Sequence, residues 1–430
     1  MNYKDRLLKA IPGGAHTYSR GYDQYPENAP QILERADGAY TYDIDGNKYL
    51  DYGMALRAVN LGYANKKVNQ AAIRQIENGN NLTRASIIEL EAAELLIDMI
   101  DSVDMVKFTK NGSTATTAAI KLSRAYTGRD LVARCENHAF FSYDDWFIGS
   151  TPARLGVLEK DVQNTKMFSY NDIDSLKRLF EQFPERISCV ILEPSVTEHP
   201  KDNFLQSVQD LCKKNNAVFI LDEMITGFRW HLKGAQHYYN VTPDLCTFGK
   251  AMANGFSVAA VAGKRAIMQQ GSIEFAGTER LFMLSTTHGA EMSGLGAFVE
   301  TVKYMREYNV VQHLWEYGEK LITVMNELSS EFGIANNFVA GGIACSPYYA
   351  TFDKDGRHSL GLRTLFSQEM IKSGVLIPWI ALSFSHGDDE LEITKNALRN
   401  TFKVYKKAVE EGYEKYLTGD IIKPVFRKYN

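Results

Sequence analysis

Between about residues 105 and 265, short runs of apolar residues alternate with amphipathic helical segments. The runs DLVARCE, RISCVILEPS and NAVFILDEMITGF are rich in β-branched residues and are bounded by polar ones, which is typical of strands buried on both faces of a parallel sheet. The segment FLQSVQDLCKKNN between two of these runs predicts a crossover helix. The order of elements therefore predicts an α/β domain around a mainly parallel central sheet.

The sequence on either side of this alternation predicts a second, smaller α+β domain. Residues 38–63 alternate around a DIDGN turn and predict a hairpin. The segments NKKVNQAAIRQIEN and IIELEAAELLIDMI, which follow it, have helical periodicity and fall within the predicted large domain. A long, bent helical region from GLGAFVE to ELSSEF is followed by two predicted strands, ACSPYYATF and GVLIPWIALSFS, and by a closing helix that begins near DDELE. We predict an N-terminal segment over 1–60 that packs with the small domain, a large domain over 61–315 and a C-terminal small domain over 316–430.

Composition excludes several classes of protein. A chain of 430 residues that is 45% hydrophobic can bury a large core, and its net charge of −4 offers no basic face for nucleic acid or for a membrane surface. The 5 cysteines are scattered without a CxxC pair, so neither a disulfide framework nor a metal site is indicated. The start, MNYKDRLLKAIPGG, has no apolar signal segment, and no apolar run is long enough to span a bilayer. We therefore expect a cytoplasmic protein.

The stretch DLCTFGKAMANGFSVAAV contains one lysine, Lys250, among small and apolar residues. Most lysines are solvated surface residues, and that is the alternative interpretation here. The apolar neighbours favour a desolvated amine, which has a lowered pKa and is suited to Schiff-base formation. A phosphate-binding P-loop is excluded because Ala251 follows the lysine, and the chain has no GxGxxG dinucleotide motif.

Two further segments carry chemistry. In FILDEMITGFR, Asp222 follows four apolar residues and is placed at the carboxyl end of a buried strand, the edge at which α/β sheets bind ligands. A buried carboxylate there requires a positive partner, such as a protonated pyridine nitrogen, although an aspartate that caps the next helix is the simpler alternative. In KNGSTATTAAIKLSRAYTG, Gly112 and Ser113 open a helix whose first N–H groups can bind an anion. A reactive lysine, a strand-end aspartate and an anion-binding helix start are together what pyridoxal 5'-phosphate requires.

From AIPGGAHTYSRG to SFSHGDDELE, the chain resembles the class III, fold-type I aminotransferases that depend on pyridoxal 5'-phosphate, and in particular their glutamate-1-semialdehyde aminomutase branch. The most specific part of the match is LDEMITGFR, followed by FGKAMANG with Lys250 at 28 residues after Asp222. The resemblance implies that Lys250 forms the Schiff base with the cofactor and that Asp222 keeps the pyridine nitrogen protonated. It also implies a homodimer with shared active sites.

The resemblance assigns further cofactor-binding residues. Met224 packs against the ring, Gly112 and Ser113 bind the phosphate, and Glu193 in ILEPS lines the site. Thr287 in STTHGAE matches a residue that reaches the phosphate of the neighbouring subunit.

Four segments depart from the family pattern or bear on the substrate. Where many members have Tyr-His-Gly, this chain has ENHAFFSYDDW, so Phe140 takes the stacking role, with His138 and Phe141 as alternatives if the register shifts. YGMALRAV, with Leu56 and Arg57, replaces the tryptophan and glycine of the aminomutases, and their acidic substrate-contacting loop is shortened here. Arg20 matches the arginine that binds the substrate carboxylate, although a solvated loop arginine is the alternative.

These observations predict an aminotransferase that moves an amino group from a donor such as glutamate to a keto or aldehyde acceptor. An aminomutase, which moves the group within one substrate, has the same cofactor chemistry and is the second hypothesis. A catalytically silent binding protein with this fold would be expected to lose Lys250 or Asp222, and both are present. The altered substrate segments are compatible with a keto-sugar or polysaccharide precursor as acceptor, by analogy alone.

Overall fold

The computed structural model describes residues 2–274, 276–277 and 279–430. The chain divides into two compact units, of which the first comprises Met1–Asn65 with Gln312–Val425 and the second Lys66–Val311 with Phe426–Asn430. The strands of the described residues are β1 Leu33–Asp37, β2 Tyr40–Asp43, β3 Lys48–Asp51, β4 Met105–Thr109, β5 Leu131–Cys135, β6 Thr165–Phe168, β7 Ile187–Leu192, β8 Val218–Asp222, β9 Leu245–Phe248, β10 Ala259–Gly263, β11 Phe338–Ile343, β12 Ser346–Thr351 and β13 Val375–Leu376. The helices are α1 Tyr3–Ala10, α2 Met54–Arg57, α3 Lys66–Glu77, α4 Ile87–Met99, α5 Gly112–Thr127, α6 Asp145–Ile148, α7 Glu159–Asn164, α8 Ile173–Gln182, α9 Phe204–Lys214, α10 Gly234–Tyr238, α11 Arg265–Met268, α12 Met292–Glu307, α13 Val310–Glu331, α14 Leu360–Lys372 and α15 Asp388–Glu411.

The second unit is built on one sheet with the strand order β4-β10-β9-β8-β7-β5-β6. Strand β10 is antiparallel to both of its neighbours, and β9, β8, β7, β5 and β6 pair in parallel. Because β4 is antiparallel to β10, it runs in the same direction as β9. The carboxyl ends of β4, β9, β8, β7 and β5 therefore lie at one edge of the sheet, and the predicted α/β fold with a mainly parallel sheet is confirmed.

Both faces of this sheet are covered by helices, as the continuous apolar runs predict. Adjacent residues of one strand point to opposite faces, so Val132 belongs to one buried cluster and Ala133 to the other. The first cluster includes the alanine-rich face of α5, and the second includes Leu205 and Val208 of the predicted crossover helix α9. Small residues on α5 let that helix approach the sheet closely, which positions its N-terminus beside the strand ends.

The first unit contains a four-stranded sheet of order β1-β2-β3-β13 and a β11–β12 hairpin. The predicted hairpin around DIDGN is β2–β3, and the predicted closing helix is α15, in which Glu390 accepts a hydrogen bond from the Gly387 N–H at 2.9 Å. The strand predicted over GVLIPWIALSFS is wrong beyond Leu376, because Pro378 has no N–H to donate to a ladder. The long helical region is interrupted between α12 and α13 at Asn309, whose φ is 51°.

No helix in the described ranges is both long and apolar enough to cross a bilayer.

Candidate active site

The carboxyl edge of the central sheet brings together side chains from five strands of the second unit. Lys250 follows β9, Asp222 ends β8, Glu193 follows β7, His138 follows β5, and helix α5 begins shortly after β4. Ligands of α/β sheets bind outside this edge, where successive strands end and loops diverge. The sequence segments that we associated with chemistry thus converge at one place.

Lys250 lies at a strained point of the backbone. Its φ is 45°, in the left-handed region that a residue with a side chain rarely occupies, and it opens a short 3₁₀ turn, Lys250–Ala253, after β9. Its flanking residues Phe248, Ala251, Met252 and Ala253 are buried, whereas Lys250 itself is half-buried. Such strain is retained where the surrounding structure enforces it, and here it falls on a lysine within an otherwise buried apolar segment.

Asp222 is buried and held in a fixed orientation. Its Oδ1 accepts hydrogen bonds from the Met224 N–H at 3.0 Å and from the Thr247 hydroxyl at 2.9 Å. Burial raises the pKa of Asp222 to about 6, and the charge of Lys250 opposes that rise. The carboxylate is therefore a buried anion that a cation in the site would stabilise.

Thr247 is a site residue that the sequence reasoning missed. It lies opposite Asp222 in the register of β8 and β9 and three positions before Lys250. The only sequence signal was a hydroxyl in an otherwise apolar strand, and its contact follows from a strand register that the sequence does not specify.

The neighbouring carboxylate, Glu223, has a structural role. It accepts hydrogen bonds from the Thr226 hydroxyl, from the N–H groups of Ala235 and Gln236, and from the Gln236 side chain. Although burial raises its pKa, these bonds favour the ionised form and tie the end of β8 to the start of α10. The two adjacent carboxylates therefore differ, since Glu223 is satisfied by the backbone and Asp222 faces the charge of Lys250.

Helix α5 begins at Gly112, so the N–H groups of Gly112 and Ser113 belong to a first turn that provides no intrahelical acceptors for them. Asn111 caps the helix by accepting from the Thr114 N–H at 2.9 Å. A Cβ added at Gly112 would lie 2.8 Å from the sulfur of Met224, and one at Gly249 would lie 2.6 Å from it. Glycine at both positions lets Met224 fill the space between the helix start and the end of β9.

The loop after β5 contains the three candidate stacking residues in different environments. His138 is buried, its Nδ1 accepts from the Glu193 N–H at 2.9 Å, and burial lowers its pKa to about 3, so its ring is neutral. Phe141 is 2% exposed and packs in the core with Trp146. Phe140 is 49% exposed, with its ring edge-on to Phe147. Of the three, Phe140 presents its ring most openly.

Thr287 lies in an exposed segment that precedes helix α12. Its carbonyl oxygen accepts a hydrogen bond from the Asn81 side chain at 3.1 Å. The side chain of Thr287 is exposed, so within one chain it is presented outward.

Arg20 and Arg57 belong to the first unit. Arg20 is exposed at the end of a 3₁₀ turn, Tyr18–Arg20, and Arg57 ends α2, which is a left-handed turn rather than a helix. The φ angles from Met54 to Arg57 are 40°, 48°, 64° and 66°. Left-handed geometry costs about 1–2 kcal/mol for each residue with a side chain, so this turn requires support from its surroundings.

The support comes from Asp51 and Tyr63. The Asp51 carboxylate accepts from the Gly53 N–H at 2.6 Å and from the Tyr63 hydroxyl at 2.7 Å, and that hydroxyl accepts from the Ala55 N–H at 2.8 Å. Burial raises the pKa of Asp51 and its hydrogen bonds oppose the rise. The turn at Met54–Arg57, which departs from the family pattern, is therefore held in its left-handed conformation by hydrogen bonds to Asp51 and Tyr63.

A model of the class III aminotransferase family matches residues 22–344 of the chain. The chain belongs to the class III aminotransferases. Glutamate-1-semialdehyde 2,1-aminomutase from Francisella philomiragia subsp. philomiragia is 30% identical to this class III aminotransferase over 411 residues, which cover 90% of the chain and 94% of the relative.

Solved structures agree with this assignment. The internal-aldimine form, with pyridoxal phosphate, of the FumI protein from Sphingopyxis sp. MTA144 is 25% identical, with a TM-score of 0.87 over 95% of this chain and 97% of that one. An omega-transaminase from Sphaerobacter thermophilus is 24% identical, with a TM-score of 0.82 over 94% and 97% of the two chains, and shows the same fold. This class III aminotransferase has the fold-type I architecture, and the resemblance inferred from the sequence is confirmed.

Class III aminotransferases depend on pyridoxal 5'-phosphate, so the predicted cofactor is also confirmed. The residues at the sheet edge fit this group. A half-buried amine, a buried carboxylate that requires a cationic partner, the apolar Met224 and a glycine-opened helix start provide one partner for each part of the cofactor.

Proposed function

We propose that this enzyme transfers an amino group from an amino-acid donor, with glutamate as the first candidate, to a keto or aldehyde group on a second molecule. The observation that carries the proposal is the set of Lys250, Asp222, Met224 and the start of α5 at one sheet edge. When bound there, pyridoxal 5'-phosphate supplies an electron-accepting ring that stabilises negative charge on the substrate carbon. The chain supplies the groups around it.

The proposed roles follow from the geometry of each residue. The Nζ of Lys250 holds the cofactor and, when free, moves a proton at the reacting carbon. Asp222, with Oδ1 fixed by Met224 and Thr247, keeps a positive charge at the ring nitrogen. Met224 and Phe140 are proposed to cover the two faces of the ring, and Glu193 to line the site.

The phosphate is proposed to be bound by the first-turn N–H groups of Gly112 and Ser113, with Thr287 of a second chain completing the site. Ser113 is itself fixed, because its hydroxyl accepts from the Tyr143 N–H at 3.1 Å. This fixes the helix start to the loop after β5, which presents Phe140. The hydrogen bond between Tyr143 and Ser113 thus connects the proposed phosphate subsite to the proposed ring subsite.

An aminomutase is the alternative, favoured by the 30% identity to a glutamate-1-semialdehyde 2,1-aminomutase. The turn at Met54–Arg57 supports the transferase instead, because it places Leu and Arg where the aminomutase pattern has Trp and Gly. The first unit also contains an open cavity of about 680 Å³, whose lining includes Arg20, Tyr25, Leu56 and Trp379. A cavity of this size suits a ligand larger than an amino acid, which supports a keto-sugar or polysaccharide precursor as acceptor.

Separate half-reactions test this proposal. A donor alone should convert the cofactor to its amino form and release a keto acid, and a keto-sugar acceptor should then restore the original absorbance. An aminomutase would instead isomerise glutamate 1-semialdehyde with no donor and no released keto acid. Absence of both reactions across amino-acid donors would exclude both candidates.

Arg20 and Arg57 are proposed to bind substrate anions. A bidentate arginine contact contributes about 1.5–3 kcal/mol, so Arg20→Ala should raise KM for glutamate by roughly 10- to 100-fold and change kcat less. Arg57→Ala should affect mainly the acceptor half-reaction, and lysine at either site should restore little because it lacks the planar fork. Arg399, which pairs with Glu331 at 2.6 Å on the surface of the same unit, provides a matched Arg399→Ala control. Unchanged kinetics in both variants would mean that neither arginine contacts substrate.

We propose that the enzyme is a homodimer with shared active sites. Ile73 and Ile76 on α3, and Ile87 and Leu90 on α4, are each at least half exposed, at spacings that place each pair on one helix face. Such exposed apolar surface is typical of an interface.

Mixed dimers test whether Thr287 serves the opposite subunit. Lys250→Ala and Thr287→Glu, the latter placing a negative charge at the phosphate, should each be inactive alone. In a mixed dimer of these variants, one site carries both lesions and the other carries neither, so the mixed dimer should have about half of the activity of the wild-type dimer. No recovery after verified mixing would indicate that Thr287 acts within its own chain.

A further inference from the structure

An ion pair connects the two segments to which phosphate binding is assigned. Lys110 lies two residues before the first residue of helix α5, and Glu291 lies four residues after Thr287. The Lys110 Nζ donates to Glu291 Oε2 at 2.7 Å, with 24% and 28% of the two side chains exposed. This pair is a direct polar contact between the two segments.

The other carboxylate oxygen of Glu291 is engaged as well. Glu291 Oε1 accepts from the Asn80 side chain at 3.1 Å and from the Ser293 hydroxyl at 2.9 Å. Asn80 also accepts from the N–H groups of Met292 and Ser293, at 2.8 Å and 2.9 Å. Its neighbour Asn81 binds the Thr287 carbonyl. Glu291 is therefore the centre of a polar network that fixes the C-terminal end of the exposed segment that contains Thr287, where this segment joins α12.

We propose that Glu291 and Lys110 are positioning residues, which tie the Thr287 segment of each chain to the start of α5 in that same chain. The pair thereby fixes both the Gly112–Ser113 turn of one site and the position from which Thr287 reaches the phosphate of the second chain, and so strengthens cofactor binding. The inference rests on the proposed roles of Gly112, Ser113 and Thr287 in phosphate binding. Neither Glu291 nor Lys110 needs to contact the cofactor. Their effect passes through the backbone of the two segments that they join.

A direct role for Lys110 as a phosphate ligand makes the opposite prediction for one variant. The hydrogen bonds from Lys110 and Asn80 lower the pKa of Glu291 to about 2, so the carboxylate stays ionised at any pH at which the enzyme is used. If Lys110 bound phosphate directly, Glu291→Gln would release it and tighten binding of the cofactor. If the pair acts by positioning, Glu291→Gln weakens binding as much as Lys110→Met does.

The chain contains a matched control in the same unit. Lys67 and Glu307 form an ion pair of 2.9 Å between the same residue types, and both residues lie outside the site. Lys67→Met and Glu307→Gln therefore remove a comparable surface pair without touching either phosphate segment. Any general effect of losing an ion pair on stability should appear equally in Tm for both sets.

The experiment measures the apparent Kd of pyridoxal 5'-phosphate for the full-length apoprotein. We expect about a tenfold increase for Glu291→Gln and for Lys110→Met, no further increase in the double variant because the two residues act as one pair, and less than a twofold change in both controls. Lys110→Arg should retain most of the binding, which keeps the test decisive if Lys110→Met folds poorly. At saturating cofactor, kcat should be close to that of the wild type.

Several outcomes would overturn the inference. They are tighter binding in Glu291→Gln, additive losses in the double variant, or a Kd indistinguishable from the controls. Failure of the underlying assignment gives a different pattern, because a Thr287→Glu variant that binds the cofactor normally would count against Thr287 itself. Weak binding in Thr287→Glu with normal binding in Glu291→Gln would overturn the positioning role alone.

Discussion

Lys250→Ala should lower turnover by roughly 10²–10⁴-fold or more, because the proposed function gives this one residue both the covalent link to the cofactor and the proton-transfer amine. The cofactor should still bind through its phosphate, since Gly112 and Ser113 belong to a different strand end. Borohydride should fix the cofactor to Lys250 in the wild type, and peptide mapping after reduction identifies the modified residue.

Two variants control for charge and for general lysine loss. Lys250→Arg keeps the positive charge beside Asp222 but cannot form the covalent link, so it should be as inactive as alanine. Lys264→Ala removes a surface lysine that pairs with Asp244 at 2.6 Å, and it should retain activity. Recovery of the reduced adduct on another lysine would refute the assignment.

Asp222→Asn should reduce turnover by roughly 10²-fold or more, because the amide keeps the shape of the carboxylate but no longer stabilises a cationic ring nitrogen. The oxygen of the amide can still accept from Met224 and Thr247, so the fold should be preserved. Glu223→Gln is the matched control. It would place an NH₂ group against N–H or hydroxyl donors, so it should cost stability on the order of 1–3 kcal/mol, which is measured as a lower Tm.

The raised pKa of Asp222 also gives a sign for the pH dependence of the apoprotein. A carboxyl whose folded pKa of about 6 exceeds its unfolded value destabilises the folded state once it is ionised. The Asp222 contribution is therefore most favourable at acidic pH and is lost as the pH rises through about 6. The difference in unfolding free energy between wild type and Asp222→Asn should shift in favour of the variant from pH 5 to pH 7.5. A constant difference would show that Asp222 does not titrate in this range.

The convergence of Lys250, Asp222 and the start of α5 at one sheet edge could be predicted from the sequence, because each of these elements has a local sequence signal. Strands β5, β7 and β8 appear as apolar runs, and the lysine and aspartate interrupt apolar surroundings. Thr247 and Glu291 could not be predicted, since their contacts depend on strand register and on segments far apart in the chain. Contacts of that kind are set by tertiary packing.

The turn at Met54–Arg57 is a second feature that could not be predicted from the sequence. Met, Ala, Leu and Arg are among the strongest formers of right-handed helix, yet all four residues are left-handed here. Tertiary partners decide the outcome, because Trp379 donates to the Gly53 carbonyl at 3.0 Å and Asp51 and Tyr63 hold the following residues. Local propensity therefore predicts the wrong hand at a segment that departs from the aminomutase pattern.

The position of strand β10 has a consequence for synthesis on the ribosome. β4 pairs with β10, which is translated about 150 residues later. At about 5–20 residues per second, β4 waits on the order of ten seconds for that partner, with its hydrogen-bonding edge open to wrong pairing. We expect nascent chains to become protease-resistant only after Gly263 has left the exit tunnel, and chaperone depletion to lower the yield of folded enzyme without changing its Tm. Early protease resistance in arrested shorter chains would show that the sheet forms without β10.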